Sequence, residues 1–499
     1  MISMTVAEIA EIVGGRLANV DPAIRTYGAV EFDSRLVSEG GIFIALPGER
    51  VDGHDFVGNA MSRGAVAAIV TRPVDAASIE VDDGFAAIAA LAAAVVRRLR
   101  GLTVIGITGS SGKTSTKDML AHTLAGIGPT VASPGSFNNE LGYPYTVLRA
   151  DETTRFLVLE ASARGVGHIR YLTEIAPPRI GVELNVGTAH LGEFGSRTAI
   201  AQAKGELVEA LPPADAGGVA VLNADDPLVL AMAARTRART VTVGQASAAD
   251  VRAEDVDSDE LGRARFTLRT AGEAVGVRLG FVGRHHLSNA LAVAAVALEC
   301  GMAPEEIAAA LGSARPASRW RMELTVRPDG VVVLNDAYNA NPESMRAGLE
   351  ALASIARARR ERGGRSFAVL GPMAELGQAG GAEHEEVGRA AVRLDICRVI
   401  AVGEDARPIH HGSVLEAAAS GDGPWTGESS WVPDAAAAIA DLRAELRPGD
   451  VVLVKASRAA SLERVALAIT DDSAEIGGSP QVGESPATSQ GDGTGGSAA

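Results

Sequence analysis

Cysteine is almost missing from this chain of 499 residues. Cys300 and Cys397 are the only two, too few for a disulfide framework or a four-cysteine zinc site, and they read as reduced, buried thiols. Aromatic residues make up only 4% of the chain, against 46% hydrophobic residues and 57 glycines. That balance fits alternating strands and Ala-rich helices rather than an all-β sandwich or a disordered chain. Basic charge is scarce as well. A formal net charge of −16 excludes a general binder of nucleic acid or anionic membrane, while leaving room for a local basic phosphate pocket. Long apolar runs are also lacking. "FAAIAALAAAVV" (Phe85 to Val96) is shorter than the ~20 residues of a membrane span, and "RRLR" follows it. The start carries Glu8 and Glu11 and no basic residue before Arg16, so it is not a signal peptide. The expectation is a soluble, cytoplasmic, monomeric protein with no nucleic-acid partner and no membrane insertion.

The length exceeds one core, and ~150 residues per domain suggests three. The expected class is α/β. Residues 1–84 would form a small α/β domain, with "VAEIAEIVGG" as a helix ending on a Gly cap, "GIFIAL" and "AVAAIV" as strands and "RPVDAASIEVDDG" as a connector. Residues 85–317 would form a central, doubly wound parallel sheet carrying a phosphate loop, built from "TVIGIT", "RFLVLEAS", "RIGVELNVG" and "GVAVLNADDP". "RARFTLRTAGEAVGVRLGF" alternates with period two and reads as a hairpin. Residues 318–470 would form a Rossmann-like α/β domain with strands "GVVVLND", "SFAVLG", "CRVIAVG" and "DVVLVKAS". The tail, 471–499, is Gly, Ser and acid-rich and reads as disordered.

"GITGSSGKTST" follows an apolar strand and opens a helix, the context of a phosphate-binding loop. Backbone N–H groups from Gly109 through Ser110, Ser111 and Gly112 to Lys113 can point at phosphate oxygens, helped by the positive helix N-terminus. Lys113 adds a full charge, Thr114 can offer its hydroxyl to Mg²⁺, and Ser115 completes the loop. ATP is the expected ligand. Position 107 is Ile where the standard spacing has Gly.

Glu160 ends one strand and His190 follows another, so a parallel sheet would gather a carboxylate and an imidazole able to bind Mg²⁺. Strand-end acids are also often caps, and a lone histidine is usually a satisfied polar residue. Lys204 sits on the apolar face of its helix, i+4 from Ile200 and i−4 from Val208. A desolvated lysine becomes a neutral, nucleophilic amine that could add CO₂ to give a carbamate. The alternative is a stem that passes over the core to water. Asn289, at the start of an apolar helix after His285 and His286, could hydrogen-bond adenine or serve as a cap. In "VVVLNDAYNANPESM" a strand ends on Asp336, which can accept from ribose hydroxyls, while Tyr338, Asn339 and Asn341 can frame reacting groups.

With these stretches in place the chain resembles the Mur ligases of peptidoglycan synthesis. "TGSSGKTST", "NNELGYP", "NVGTAHLGEFGS", "LNADDP", "DAYNANPESM", "GPMAELG" and "VKASR" occur in that family's order over residues 100–460. "DSR" at Asp33 to Arg35 is similar to the family's UDP-binding amino-terminal domain. "DAYNANP" with "MAELG" is similar to members that use ATP to add D-alanyl-D-alanine to UDP-MurNAc-tripeptide through an acyl phosphate. The resemblance implies that Lys204 is the carbamylated lysine, Thr114, Glu160 and His190 metal ligands, Asn289 the adenine contact and Asp336 the ribose contact. It implies catalytic roles for Lys113, Lys204 and Asn339. Substrate contacts fall on Ser34, Arg35, Asn138, Asn139, Tyr338, Asn341, Lys455 and Ser457. The chain departs from the family's pattern at Glu160-Ala161-Ser162, His285-His286 and Lys455-Ala456-Ser457. Two other readings compete. One is a non-catalytic nucleotide-binding scaffold, which loss of Lys113, Glu160 or Lys204 would favour. The other is a Mur-like amidotransferase subunit, which needs four zinc-binding cysteines.

Overall fold

A computed structural model describes residues 1–48, 51–188, 194–360, 363–419 and 425–470. The tail 471–499 and His190 lie outside the described residues. By contact the chain divides into two compact units, the first made of Met1–Arg100 with Glu140–Glu152.

The first unit begins with helix Val6–Val13, held at its start by reciprocal bonds between Thr5 and Glu8 and closed by Gly14 in the left-handed conformation (φ 64°). Its five-stranded sheet runs Arg16–Ala18, Ser78–Glu80, Ala67–Val70, Ile42–Ile44, Val30–Glu31, antiparallel at the first pair and parallel thereafter. The segment expected to be only a connector therefore contains a strand, Ser78–Glu80. Ile79 is fully buried between two neighbouring strands, and three residues are too few to show periodicity. Helix Gly84–Arg98, capped by Asp83, packs within this unit against helices Val6–Val13 and Gly142–Val147.

The second unit carries the larger sheets. A nine-stranded one runs Thr130–Ala132, Phe156–Glu160, Thr103–Thr108, Ile180–Glu183, Val219–Asn223, Arg239–Gly244, Val251–Ser258, Arg263–Arg269, Ala274–Val282. It is parallel through Val251–Ser258 and ends in the expected antiparallel hairpin. Its core lies against helix His286–Glu299, whose apolar side chains are almost entirely buried. A six-stranded sheet follows: Glu323–Val326, Val332–Asp336, Val451–Lys455, Ser366–Leu370, Arg398–Val402, Glu428–Val432. Its four inner strands are those read from the sequence. The two edge strands are short and only partly covered, with Val432 their one buried residue, which hid them. Both cysteines are free thiols but only half-buried, and Cys300 packs beside the core of the nine-stranded sheet. Among the described residues no helix is long and apolar enough to cross a membrane.

Candidate active site

Strand Thr103–Thr108 delivers the chain into the phosphate loop, and helix Lys113–Ala125 leaves it. Gly112 needs to be glycine twice over. Its φ is 85°, and a Cβ there would lie 2.6 Å from Asn289 Oδ1. No side chain caps the helix that follows, so its first N–H groups face the loop. Asn185 clamps the loop from the next strand. Its Oδ1 accepts from the Ser111 N–H (2.9 Å), its Nδ2 donates to Ser111 O (3.1 Å), and its carbonyl accepts from the Ser110 N–H (3.0 Å). Lys113 folds back, Nζ donating to Gly109 O at 2.6 Å. Burial holds the Lys113 ammonium below its ordinary pKa, and Glu160 works against that fall. Ile107 points into the core, fully buried, where the standard loop has glycine.

Glu160 ends its strand fully buried beside this loop. Thr114 Oγ1 and Asn138 Nδ2 both donate to its Oε2, at 3.2 and 3.3 Å. Its Oε1 has no hydrogen-bond partner, and Lys117 Nζ stands 3.9 Å away. Lys117 is itself buried, donating to Ser133 O (2.8 Å) and Gly135 O (2.9 Å) and paired with Asp118 at 2.7 Å. Arg321, entering from the start of the third domain, donates to Ser136 Oγ (3.0 Å) and lies over the Tyr338 ring, 4.2 Å from its centre. Among the described residues no three His, Cys, Asp or Glu side chains stand close enough to hold a metal by themselves.

The helix carrying Lys204 spans Arg197–Lys204 and continues through Gly205 as Glu206–Glu209. Lys204 does not pass over the core to water: it is 4% exposed. Burial, and next the charge of Lys113, pull its amine down to about 7, with Glu183 opposing. Glu183 is 1% exposed, and neither carboxylate oxygen has a hydrogen-bond partner. Burial pushes this acid well above the usual carboxylate range, although Lys204, Arg235 and Lys113 pull the other way.

At the end of strand Val332–Asp336, Asp336 accepts from the Met322 N–H (3.0 Å) and pairs with Lys455 Nζ (2.5 Å). Lys455 also donates to Asn339 O (2.9 Å). Asn341 caps helix Pro342–Arg359, its Oδ1 accepting from the Ser344 N–H at 2.8 Å. Ser457 Oγ accepts from the Ala374 N–H at 2.9 Å. Tyr338 takes part through the Arg321 contact described above. Asn289 Nδ2 pairs with His286 Nδ1 at 3.1 Å, and burial keeps that imidazole neutral. His286, one of the departures from the family's pattern, thus stands as the partner of Asn289. The second unit therefore brings together Gly109 to Ser115, Glu160, Lys204 and Asn289, with Asn138 on Glu160 and Asn139 next in the chain. Asp336, Tyr338, Asn339, Asn341, Lys455 and Ser457 line the adjoining loop. Ser34 and Arg35 belong to the first unit, where Arg35 makes a two-toothed pair with Asp33 (2.7 and 2.9 Å) and Ser34 is buried.

Sequence reasoning passed over Asn185, Lys117, Glu183, Arg321 and Glu343. Only Lys117 had a signal to give it away. The chain holds four lysines among 46 basic residues, at 113, 117, 204 and 455, and all four converge on this site. Where arginine serves nearly every surface role, a lysine that remains marks a place needing a compact ammonium.

Known proteins match along most of the chain. The Mur ligase middle domain matches residues 107–297, the Mur ligase glutamate ligase domain residues 320–458, and the Mur ligase family catalytic domain residues 26–107. The UDP-N-acetylmuramoyl-tripeptide--D-alanyl-D-alanine ligase of Mycobacterium tuberculosis (strain ATCC 25618 / H37Rv) is 54% identical, over 95% of this chain and 98% of that one. A crystal structure of MurF from Acinetobacter baumannii superposes with a TM-score of 0.81 at 30% identity, covering 94% of this chain and 99% of that one. The MurF ligase of Thermotoga maritima, crystallised in complex with ADP, superposes with a TM-score of 0.74 at 31% identity, covering 89% and 97%.

Proposed function

The chain belongs to the Mur ligase family, and we propose from that premise that it joins D-alanyl-D-alanine to UDP-N-acetylmuramoyl-tripeptide at the expense of ATP. The observation that carries the chemistry is the reach of the third domain onto the phosphate loop. Arg321 bonds Ser136 beside Thr114, and Glu343 bonds Thr188 next to Gly187, which itself bonds Ser110.

The tripeptide's terminal carboxylate attacks the γ-phosphorus of ATP, and the bond to the β–γ bridging oxygen breaks, giving an acyl phosphate and ADP. The loop N–H groups, Lys113 and Arg321 gather positive charge where the phosphoryl oxygens sit, so catalysis is mainly positioning and charge neutralisation. The free amine of D-alanyl-D-alanine then adds to the acyl carbon, and phosphate leaves from the tetrahedral intermediate. The loop from Asp336 to Asn341 closes over the nucleotide, with Asp336 on the ribose, Asn289 on the adenine, and Tyr338 and Asn339 excluding water from the acyl phosphate. Ser34, Arg35, Asn138, Asn139, Asn341, Lys455 and Ser457 serve the two substrates. Residues 1–84, 85–317 and 318–470 would serve as the substrate, nucleotide and closing parts of this cycle, with helix Gly84–Arg98 and Glu140–Glu152 packed into the first compact unit.

The residues fit a magnesium ion. The buried Glu160 carboxylate, with Oε1 lacking a hydrogen-bond partner and Oε2 at the Thr114 hydroxyl, offers hard oxygens suited to it, and His190 would add an imidazole. The ion would supply charge neutralisation at the phosphate oxygens. Lys204, held near neutrality, is suited to carry a carbamate. The reaction takes place where its soluble precursors are, in the cytoplasm, with the protein acting as a monomer.

The test is ATP-dependent phosphate release with UDP-MurNAc-tripeptide, with and without D-alanyl-D-alanine. Release that needs both, with the pentapeptide product seen by mass spectrometry, supports the reading. A folded, ATP-binding protein that releases none overturns it in favour of a non-catalytic scaffold.

A further inference from the structure

Glu183 has no part in the mechanism above, yet it is one of the most costly residues in the protein to keep. A carboxylic acid that is 1% exposed, with both oxygens lacking a partner, gains nothing for the fold. The cations that act on it are Lys204, Arg235 and Lys113. Two of them are committed elsewhere. Arg235 donates to the carbonyls of Ala201 (2.9 Å) and Gln202 (2.8 Å) and to Glu209, and Lys113 donates to Gly109 O. Lys204 is the cation left facing it.

The strand geometry explains why. Side chains two apart on a strand share a face. A Cβ on Gly181 would meet Leu211 at 3.1 Å and Leu207 at 3.4 Å. Glu183 therefore looks at the same helix, ~6.6 Å further along the strand. In a parallel α/β unit the helix runs back against the strand, so that advance reaches about one turn earlier, the turn of Lys204. The amine and the acid thus lie on facing elements, both buried, and neither Glu183 oxygen has a hydrogen-bond partner.

We propose that Glu183 is the positioning residue of Lys204: its carboxylate takes the proton released when the amine adds carbon dioxide, and the neutral acid then donates a hydrogen bond to the carbamate. This rests on the reading of Lys204 as a carbamate-bearing residue. The balance is simple. The amine lone pair forms the N–C bond, one C=O pair moves onto oxygen, and the N–H proton moves to Glu183. Neutral amine, CO₂ and carboxylate become carbamate anion and carboxylic acid, with net charge conserved. Burial already favours the neutral acid, and the donated bond would hold the carbamate plane in one orientation.

The experiment is ¹³C NMR of the full chain titrated with ¹³C-bicarbonate, the carbamate signal being identified by its loss in Lys204→Arg. Glu183→Leu removes the proton acceptor and the donor, and should need about 10-fold more bicarbonate for half-labelling. Glu183→Gln keeps an N–H donor but cannot take the proton. It should stay within about 3-fold of the wild type at a pH high enough for water to take that proton, and should fall behind it as the pH is lowered. Both substitutions remove a buried unpaired acid, so folding should survive, and ADP affinity at the phosphate loop checks that it has. Wild-type labelling in Glu183→Leu overturns the proposal. So does equal loss in both variants at the higher pH, which would mean that no donated bond holds the carbamate, or a pH dependence in Glu183→Gln equal to that of the wild type, which would mean that Glu183 takes no proton. An unlabelled wild type would refute the carbamate at Lys204 itself and the role of Glu183 with it.

Discussion

Thr188 and Glu343 are joined twice: the backbone N–H and the hydroxyl of Thr188 both donate to Glu343 Oε1, each at 2.7 Å. Glu343 sits in the first turn of helix Pro342–Arg359, and the neighbour of Thr188, Gly187, donates to Ser110 Oγ of the phosphate loop at 2.9 Å. Three hydrogen bonds, relayed through Gly187 and Thr188, thus connect the loop that grips phosphate to the helix that opens after "DAYNAN". A carboxylate suits both ends of this contact, since it also complements the positive start of its own helix.

Glu343→Ala removes both bonds and leaves the Thr188 N–H to water. Bonds to charged groups contribute about 1.5–3 kcal/mol each when dry, and this pair is only half-buried. Taking the low end once, kcat/KM should fall about 10-fold or more, since ~1.4 kcal/mol is a factor of ten. Glu343→Gln keeps an acceptor oxygen and should lose less. Steady-state phosphate release on both variants checks this, and equal activity in Glu343→Ala would show that the contact contributes nothing to turnover.

Lys113→Ala should lose turnover, by about 100-fold at least, the usual cost of removing one charge-stabilising donor from a transition state. The loop conformation is held by Asn185 and Gly112 rather than by the lysine. ADP should therefore still bind, more weakly, by calorimetry. Turnover near the wild-type level would refute the phosphate-loop role.

How much of this was legible beforehand follows from the range of each interaction. The phosphate loop announces itself because strand, glycines, Lys113 and Thr114 lie within a dozen residues. Lys204 announces itself because Ile200 and Val208 flank it at helical spacing. Glu183 hid inside an apolar strand run, "RIGVELNVG", where one acid looks like noise until its partner from another element is known. Arg321 and Glu343 act on Ser136 and Thr188, far away in sequence, and nothing local distinguishes them. The strands Glu323–Val326 and Glu428–Val432 were invisible because an edge strand has one ladder partner and little burial to pattern.

Lys204 should titrate near neutrality. Burial and Lys113 lower its amine to about 7, and Glu183 opposes the fall. The sign is that of a depressed base: below about 7 the folded protein holds an ammonium, and above it a neutral amine, whereas an exposed lysine stays charged to ~10.4. In CO₂-free buffer, pulse acylation followed by peptide mass spectrometry should therefore show Lys204 labelling rise with a midpoint near 7. Added bicarbonate should protect it. A midpoint near that of an ordinary lysine would show that the amine is not desolvated in solution.

Lys117 should matter for the fold as much as for the reaction. Its ammonium bonds Ser133 O, Gly135 O and Ser318 Oγ, and pairs with Asp118, whose Oδ2 in turn accepts from the Ala317 and Ser318 N–H groups. One buried charge thus ties the phosphate-loop helix to the segment before Glu160 and to the start of the third domain. Lys117→Met fills similar space but leaves the Asp118 carboxylate without its counter-charge and two carbonyls without their donor. Breaking a buried ion pair from one side costs about 3–5 kcal/mol, more than removing both partners together. Denaturant unfolding should show that loss, and Lys117→Met with Asp118→Asn should recover part of it. If the single variant unfolds at the wild-type midpoint, the network carries no stability, and the scarcity of lysine in this chain would point to a role in turnover alone.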